Sequence, residues 1–257
     1  MVNFIVSMLI LIAFLGGCAH EPLISLTRSY PTGLGNDEAV CIVLDKYCQC
    51  PASSSGSDYF FVMNGLKNCE SWNCTESQSK EKQFDSFIGR EMKKFKPDIN
   101  VVLSDKFRST AFPGKAFEVC KLGPDSILQL LNDAEFLNRI SQTGIRYFII
   151  LDSRSAKAGT ETHYPIWGPG LWAICKTGDE IVNVTATIVD IKFKRISGSI
   201  SSRTSGEVGS CVPVLLVIPL PRTAYIDLPD SVYHETSAWT GLAEPLVRFL
   251  ENKDGGS

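Results

Sequence analysis

Three features predict an α/β domain of two layers, with a mixed sheet, an antiparallel C-terminal hairpin and helices packed on one face. The first is the near-continuous apolar run Ile145-Arg146-Tyr147-Phe148-Ile149-Ile150-Leu151, which reads as a strand buried on both faces. The second is strict alternation. Val182, Val184, Ala186 and Ile188 alternate with Asn183, Thr185 and Thr187, and Ile196, Gly198 and Ile200 alternate with Arg195, Ser197, Ser199 and Ser201. The short link Lys192-Phe193-Lys194 makes these two half-exposed strands a hairpin. The third is a set of amphipathic helical patterns placed between the earlier strands and again at the C-terminal end.

In chain order, Ala39-Val40-Cys41-Ile42-Val43-Leu44 predicts a buried strand that stops at Asp45-Lys46. Cys48 to Ser57 is rich in Cys, Pro, Ser and Gly and predicts a loop. Tyr59-Phe60-Phe61-Val62 predicts a short strand. Phe84, Phe87, Ile88, Met92 and Phe95 share one helical face and Lys82, Arg90, Lys93 and Lys94 the other, with Pro97 as the stop. Ile99 to Leu103 predicts a strand. Pro124-Asp125 opens a helical region carrying Ile127, Leu128, Leu130 and Leu131, and 134–143 predicts a further helix ending at Gly144. Residues 153–170 read as loop and Leu171 to Cys175 as a strand. The last helix carries Trp239, Leu242, Leu246, Phe249 and Leu250 on one face. Pro245 requires that it start near Glu244 or bend there.

The N-terminal end carries a different signal. Phe4 to Phe14 is almost wholly apolar, too short to span a bilayer as a mature helix and matched to the apolar core of a secretory signal. It ends in Leu15-Gly16-Gly17-Cys18, which resembles the bacterial lipobox, although no Lys or Arg precedes the apolar run. The resemblance implies cleavage before Cys18 and acylation of its thiol. Two or three acyl chains hold a protein on a bilayer without a transmembrane helix. In a Gram-negative host, Ala19 resembles the sorting signal for the periplasmic face of the outer membrane. The expected organisation is therefore a signal peptide over 1–17, a lipidated tether over 18–38, a Cys-rich strand and loop segment over 39–80, and the α/β domain over 81–252.

Nine cysteines less Cys18 leave Cys41, Cys48, Cys50, Cys69, Cys74, Cys120, Cys175 and Cys211. An even number behind a secretory signal reads as a disulfide framework, with the pairing open. A zinc site from Cys48, Cys50, Cys69 and Cys74 is the rival reading, weakened because neither pair is C-x-x-C. With 25 basic and 28 acidic residues, the chain lacks the basic surplus of a nucleic-acid binder.

The run Gly144 to Leu151, then Val184-Thr185-Ala186-Thr187-Ile188-Val189-Asp190-Ile191-Lys192, then a helix around Leu242 to Leu250, resembles a group of uncharacterised bacterial lipoproteins. More distantly it is similar to the domain of the TolB N-terminus, the curli secretion lipoprotein CsgG and the penicillin-binding-protein activator lipoproteins. The resemblance spans roughly 81–251, with Val189-Asp190 its sharp local match, and the Cys-rich segment 41–74 departs from it. It implies a protein that binds envelope partners and carries no catalytic residue over.

Direct inspection for chemistry agrees with that expectation. His20, His163 and His234 are the three histidines. His234-Glu235-Thr236-Ser237 lacks the second His a zincin needs, and no nucleophile elbow, phosphate loop or dinucleotide fingerprint occurs. No catalytic residue, metal site or cofactor is expected, and Asp190 reads as a turn residue. Two stretches suggest interaction surface. One is the aromatic segment His163 to Trp172, with His163, Trp167 and Trp172 as candidate partner-binding residues. The other is the apolar stretch 212–221, for which packing over the sheet, a subunit contact and contact with lipid all stand open. The expected function is a lipid-anchored, non-enzymatic accessory module for an envelope protein. The alternatives are an envelope hydrolase using His163 or His234, and an oligomeric secretion component contacting the membrane through 212–221.

Overall fold

The computed structural model describes residues 22–50, 73–75, 78–114, 122–157, 161–163, 166–168, 171–215, 218–219, 226–227 and 231–252. The strands are β1 (Leu23–Arg28), β2 (Ala39–Cys50), β3 (Asn73–Thr75), β4 (Asn100–Val102), β5 (Ile145–Lys157), β6 (Glu161–His163), β7 (Ile166–Gly168), β8 (Leu171–Asp190), β9 (Arg195–Leu215), β10 (Ile218–Pro219) and β11 (Ile226–Asp227). The helices are α1 (Gln78–Phe95), α2 (Ser104–Ala111), α3 (Pro124–Leu130), α4 (Ala134–Ser141) and α5 (Ser231–Leu250). The predicted strand Tyr59 to Val62 lies outside the described residues.

The fold is mixed α/β, as expected. One sheet runs β1-β9-β8-β5-β2-β3, with β4 also on β2. β2 is parallel to both β4 and β5, whereas β5, β8, β9 and β1 are antiparallel neighbours. The predicted hairpin is present, and Asp190 anchors its turn. Buried Asp190 receives both Arg146 Nη1 and Nη2 (2.6 and 2.9 Å) and the Phe193 amide (3.0 Å).

The layering departs from the expectation of helices on one face. Val40, Ile42, Tyr147 and Ile149 face α1 and α5 in one core cluster; Cys41, Val43, Phe148 and Ile150 face α2, α3 and α4 in another. Connectivity explains the two layers of helix. The chain crosses from β2 outward to β4 through α1, then returns over β2 to β5 through α2–α4. Right-handed crossovers taken in opposite directions place their helices on opposite faces of a sheet.

Three further elements differ from the sequence expectation. Residues 23–28 and 32–34, assigned to the tether, belong to the domain: β1 pairs with β9 from Leu23↔Arg203 to Arg28↔Gly198. Beyond it, Arg28 Nη2 and Thr32 Oγ1 donate to the Phe249 carbonyl and the Leu34 amide donates to Leu250 O. Both carbonyls lie at the end of α5, where no helical residue follows four positions on to supply an amide; Phe249 O also accepts from the Asn252 amide at 3.1 Å, and these bonds draw the segment onto the domain. Residues 153–170 include the end of β5 and the strands β6 and β7, because the β8 ladder offers backbone partners to polar residues that carry no apolar period. Finally, of the two alternatives for the last helix, a start near Glu244 is excluded: α5 starts at Ser231 and runs through Pro245. Among the described residues no helix is long and apolar enough to cross a membrane.

Candidate functional site

Open α/β sheets bind ligands in crevices beside a strand from which crossovers leave in opposite directions. Here that strand is β2, and the break in its ladder lies within it, at the seventh of its 12 residues. Its register with β5 slips between Leu44 and Lys46, so Asp45 is a bulged residue. A cleft of about 460 Å³ opens there, lined by Asp45, Lys46, Pro124, Ile150, Asp152, Arg154, Asn183, Thr185 and Thr187.

The local sequence explains why the cleft is polar and uncovered. α3 and α4 have 7 and 8 residues, hence about 10–12 Å of length at 1.5 Å per residue. They pack with Cys41, Val43, Phe148, Ile150 and Val189 in one core cluster, and the start of α3 reaches β8 at Pro124 without filling the space beside Asn183, Thr185 and Thr187. Along β8 the alternation buries Val182, Val184, Ala186 and Ile188 against α5, leaving Asn183, Thr185 and Thr187 half-buried on the cleft side. Their hydroxyls and amide are linked: Asn183 Nδ2 donates to Thr185 Oγ1 (3.3 Å), and Thr185 pairs with Ser201 Oγ (2.9 Å). Arg154 donates Nε and Nη2 to the two oxygens of Asp152 at 3.1 and 2.8 Å, and Lys46 stands 3.8 Å from Asp45. The carboxylate raises the Arg154 pKa, so the cation is fixed. A Cβ at Gly123 would lie 3.1 Å from the Asp45 carboxylate, so glycine lets the start of α3 come up to that group.

A second polar cluster is buried on the opposite face of the sheet. Glu235 hydrogen-bonds Tyr47, and the Glu180 charge lies near both. Burial, then the Glu235 charge, pushes Tyr47 up to about 12. Burial also raises Glu235, against the lowering effect of the Lys80 ammonium. His234 is buried next to this cluster and closely packed: a Cβ on Gly206 would lie 3.1 Å from its Nε2, and Thr204 Oγ1 donates to its carbonyl. That packing places His234 inside the domain, away from the cleft.

Each sequence-derived site residue has its place. Cys18, Cys69 and Cys120 lie outside the described residues. His163 stands in β6 opposite Cys175 and Trp167 in β7, on strands where a loop was expected, and Trp172 stands in β8, the expected strand, opposite Ile166 and Val214. Their side chains lie outside the described part. Cys48 and Cys74 are opposite each other on β2 and β3 and form a disulfide, which removes them from the rival zinc reading; Cys50 is disulfide-bonded as well. Cys41 is a correction: it is a free, fully buried thiol. Its register neighbours are Val102 and Phe148, so no cysteine stands across from it, and burial raises its pKa well above the usual thiol value. Among the described residues no group of three or more His, Cys, Asp or Glu side chains is placed to hold a metal ion.

Sequence reasoning missed Asp152, Arg154 and the Glu180–Glu235–Tyr47 cluster. The first two had a legible signal, the switch to charge directly after the most apolar strand. The cluster had none, since its members come from three distant elements.

No protein-family model matches the chain, and no curated protein matches it. Among solved structures it is similar to the PelC dodecamer from Paraburkholderia phytofirmans, at 11% identity and a TM-score of 0.30, over 72% of this chain and 83% of that one. It is also similar to a putative neuraminyllactose-binding hemagglutinin homolog from Helicobacter pylori, at 10% identity and a TM-score of 0.30, over 88% and 91%.

Proposed function

We propose that this chain is a lipid-anchored accessory module of the bacterial envelope, acylated at Cys18, that binds an envelope protein without chemical turnover. The observation that carries the binding role is the uncovered cleft at the β2 bulge. It offers fixed charge pairs and a floor of Thr and Asn donors and acceptors, which suits a polar, extended protein segment. The anchoring role is supported by the placement of β1, whose first residue lies five positions after Cys18. The linker reaches at most about 18 Å at ~3.5 Å per residue. Leu23, Ile24 and Leu26 on this edge strand are 74%, 42% and 40% exposed. An acylated Cys18 brings that apolar edge against the bilayer, on the periplasmic face of the outer membrane in a Gram-negative host.

The test has two arms. Metabolic palmitate labelling should mark the wild-type chain and be lost in Cys18→Ser; an unlabelled wild type refutes the anchor. Pull-downs from envelope extracts should recover a partner with the wild type and lose it with Arg154→Glu. Retention of every partner by Arg154→Glu, and equally by Trp167→Ala/Trp172→Ala, removes both surfaces from the reading.

One observation favours a second reading, an oligomeric component that contacts lipid through 212–221. Val212 to Leu215 stand opposite Leu171 to Ile174, so four consecutive cross-strand pairs are apolar on both faces of the sheet. Light scattering in detergent that shows only monomer refutes it.

A further inference from the structure

The ladder between β5 and β8 ends at Lys157↔Glu180, yet β8 and β9 continue together to Leu171↔Leu215. In this distal part the flanking partners are short. β6 and β7 lie along β8, and β10 and β11 lie along β9. None of the described helices enters the chain between these strands, so the register of the distal ladder depends on the strands themselves. A two-residue slip keeps every side chain on its original face, and the apolar repeats at its end do little to oppose one.

Cys175 of β8 and Cys211 of β9 are direct partners in this ladder. Opposed residues on antiparallel strands share a face, with Cα atoms about 4.5 or 5.5 Å apart according to the hydrogen-bond pattern. Both values fall within the range that a disulfide spans. The other register neighbour of Cys175 is His163 and that of Cys211 is Ile226, so among the described residues the cysteine opposite each one is its partner. The same chain already uses this arrangement once, at Cys48↔Cys74, where the bond is made.

We propose that Cys175 and Cys211 form a cross-strand disulfide that locks the register of the distal β8–β9 arm. It holds the aromatic segment 163–172 and the apolar stretch 212–215 in one fixed arrangement. A dithiol–disulfide exchange oxidant of an oxidising compartment supplies the chemistry. One thiolate attacks the oxidant's disulfide, forming a mixed disulfide and releasing one oxidant thiolate; the second attacks the protein sulfur of that mixed disulfide and releases the other. Two electrons pass to the oxidant, which leaves as two thiols carrying the two protons lost from Cys175 and Cys211. The inference rests on the envelope location proposed above, and the Cys48–Cys74 bond separates the two ideas experimentally.

The test uses the full chain extracted from cells in the presence of an alkylating reagent, followed by peptide mapping without reduction. The expected result is a linked pair of peptides carrying Cys175 and Cys211, beside the Cys48–Cys74 pair. Alkylated Cys175 and Cys211 next to an intact Cys48–Cys74 bond would overturn the staple alone, as would either cysteine joined to Cys120 or Cys69. Four alkylated cysteines would overturn the compartment and the staple together. In Cys175→Ser, Cys211 should appear as one new alkylatable thiol, and hydrogen exchange over 171–175 and 211–215 should accelerate at least tenfold. Unchanged exchange in that variant refutes the locking role.

Discussion

Arg108→Met tests a buried ion pair that links two helices of the domain. Glu81 and Asp85 lie one turn apart on α1 and reach Ser104 and Arg108, one turn apart on α2. Asp85 accepts from the Ser104 amide and hydroxyl at 2.7 and 2.6 Å. Glu81, 1% exposed, accepts from Arg108 Nε and Nη2 at 2.8 and 3.0 Å and from the Leu44 amide at 3.1 Å. This ladder joins β2 to helices that sit on opposite faces of the sheet. The Met variant keeps the aliphatic stem and leaves the Glu81 carboxylate with the Leu44 amide in place of three donors. Loss of one partner of a buried ion pair costs about 3–5 kcal/mol, a large share of a total stability of about 5–15 kcal/mol.

The sign with pH follows from the Glu81 titration. Burial already raises its folded pKa above 4.5, with Arg108 opposing that rise. A carboxylate raised on folding favours the folded state most below its unfolded pKa, and that contribution is lost as pH rises through the folded value. Without Arg108 the folded value climbs further, so the cost of the variant should grow from pH 5 to pH 7. Urea unfolding followed by circular dichroism measures it. The double variant Glu81→Gln/Arg108→Met removes the stranded charge and should recover all but about 1–1.5 kcal/mol. A cost below about 1 kcal/mol at pH 7, set against the range for a broken buried pair, refutes the reasoning. So does one that is equal at the two pH values.

Glu235→Gln removes a carboxylate that burial raises, so it should gain stability relative to the wild type on going from pH 4.5 to pH 7; thermal melts across that range check it, and a constant difference counts against the buried cluster. Tyr47, pushed up to about 12, should ionise later than an ordinary tyrosine in an absorbance titration, and folding stability should fall as pH rises from 10 through 12. Gly198→Ala places a Cβ against the Thr27 carbonyl and 2.8 Å from Phe249 Cζ; overpacking of this kind costs about 1–3 kcal/mol, and hydrogen exchange should show it concentrated in β1.

Both kinds of outcome have identifiable causes. The β8 alternation and the Ile145 to Leu151 run located their strands because a side-chain period reports which face is buried. The helix over 104–111 escaped notice because only Phe107 and Ala111, one turn apart, carry its apolar face. β1 escaped because its pairing uses backbone groups, which leave no pattern in side chains. For the site, the charges at Asp152 and Arg154 were visible as residues, whereas their meeting with Asp45 and Thr185 across three strands was not.

By itself the sequence determined the α/β class, the hairpin and the absence of a basic surplus, all of which are properties of neighbouring residues or of composition. Only the tertiary structure decided that helices cover both faces, that residues 23–34 close the domain edge and cap α5, and that Cys41 is a free thiol while Cys48 meets Cys74. Those outcomes depend on crossover direction and strand register, which bring together residues far apart in the chain and which no local pattern encodes.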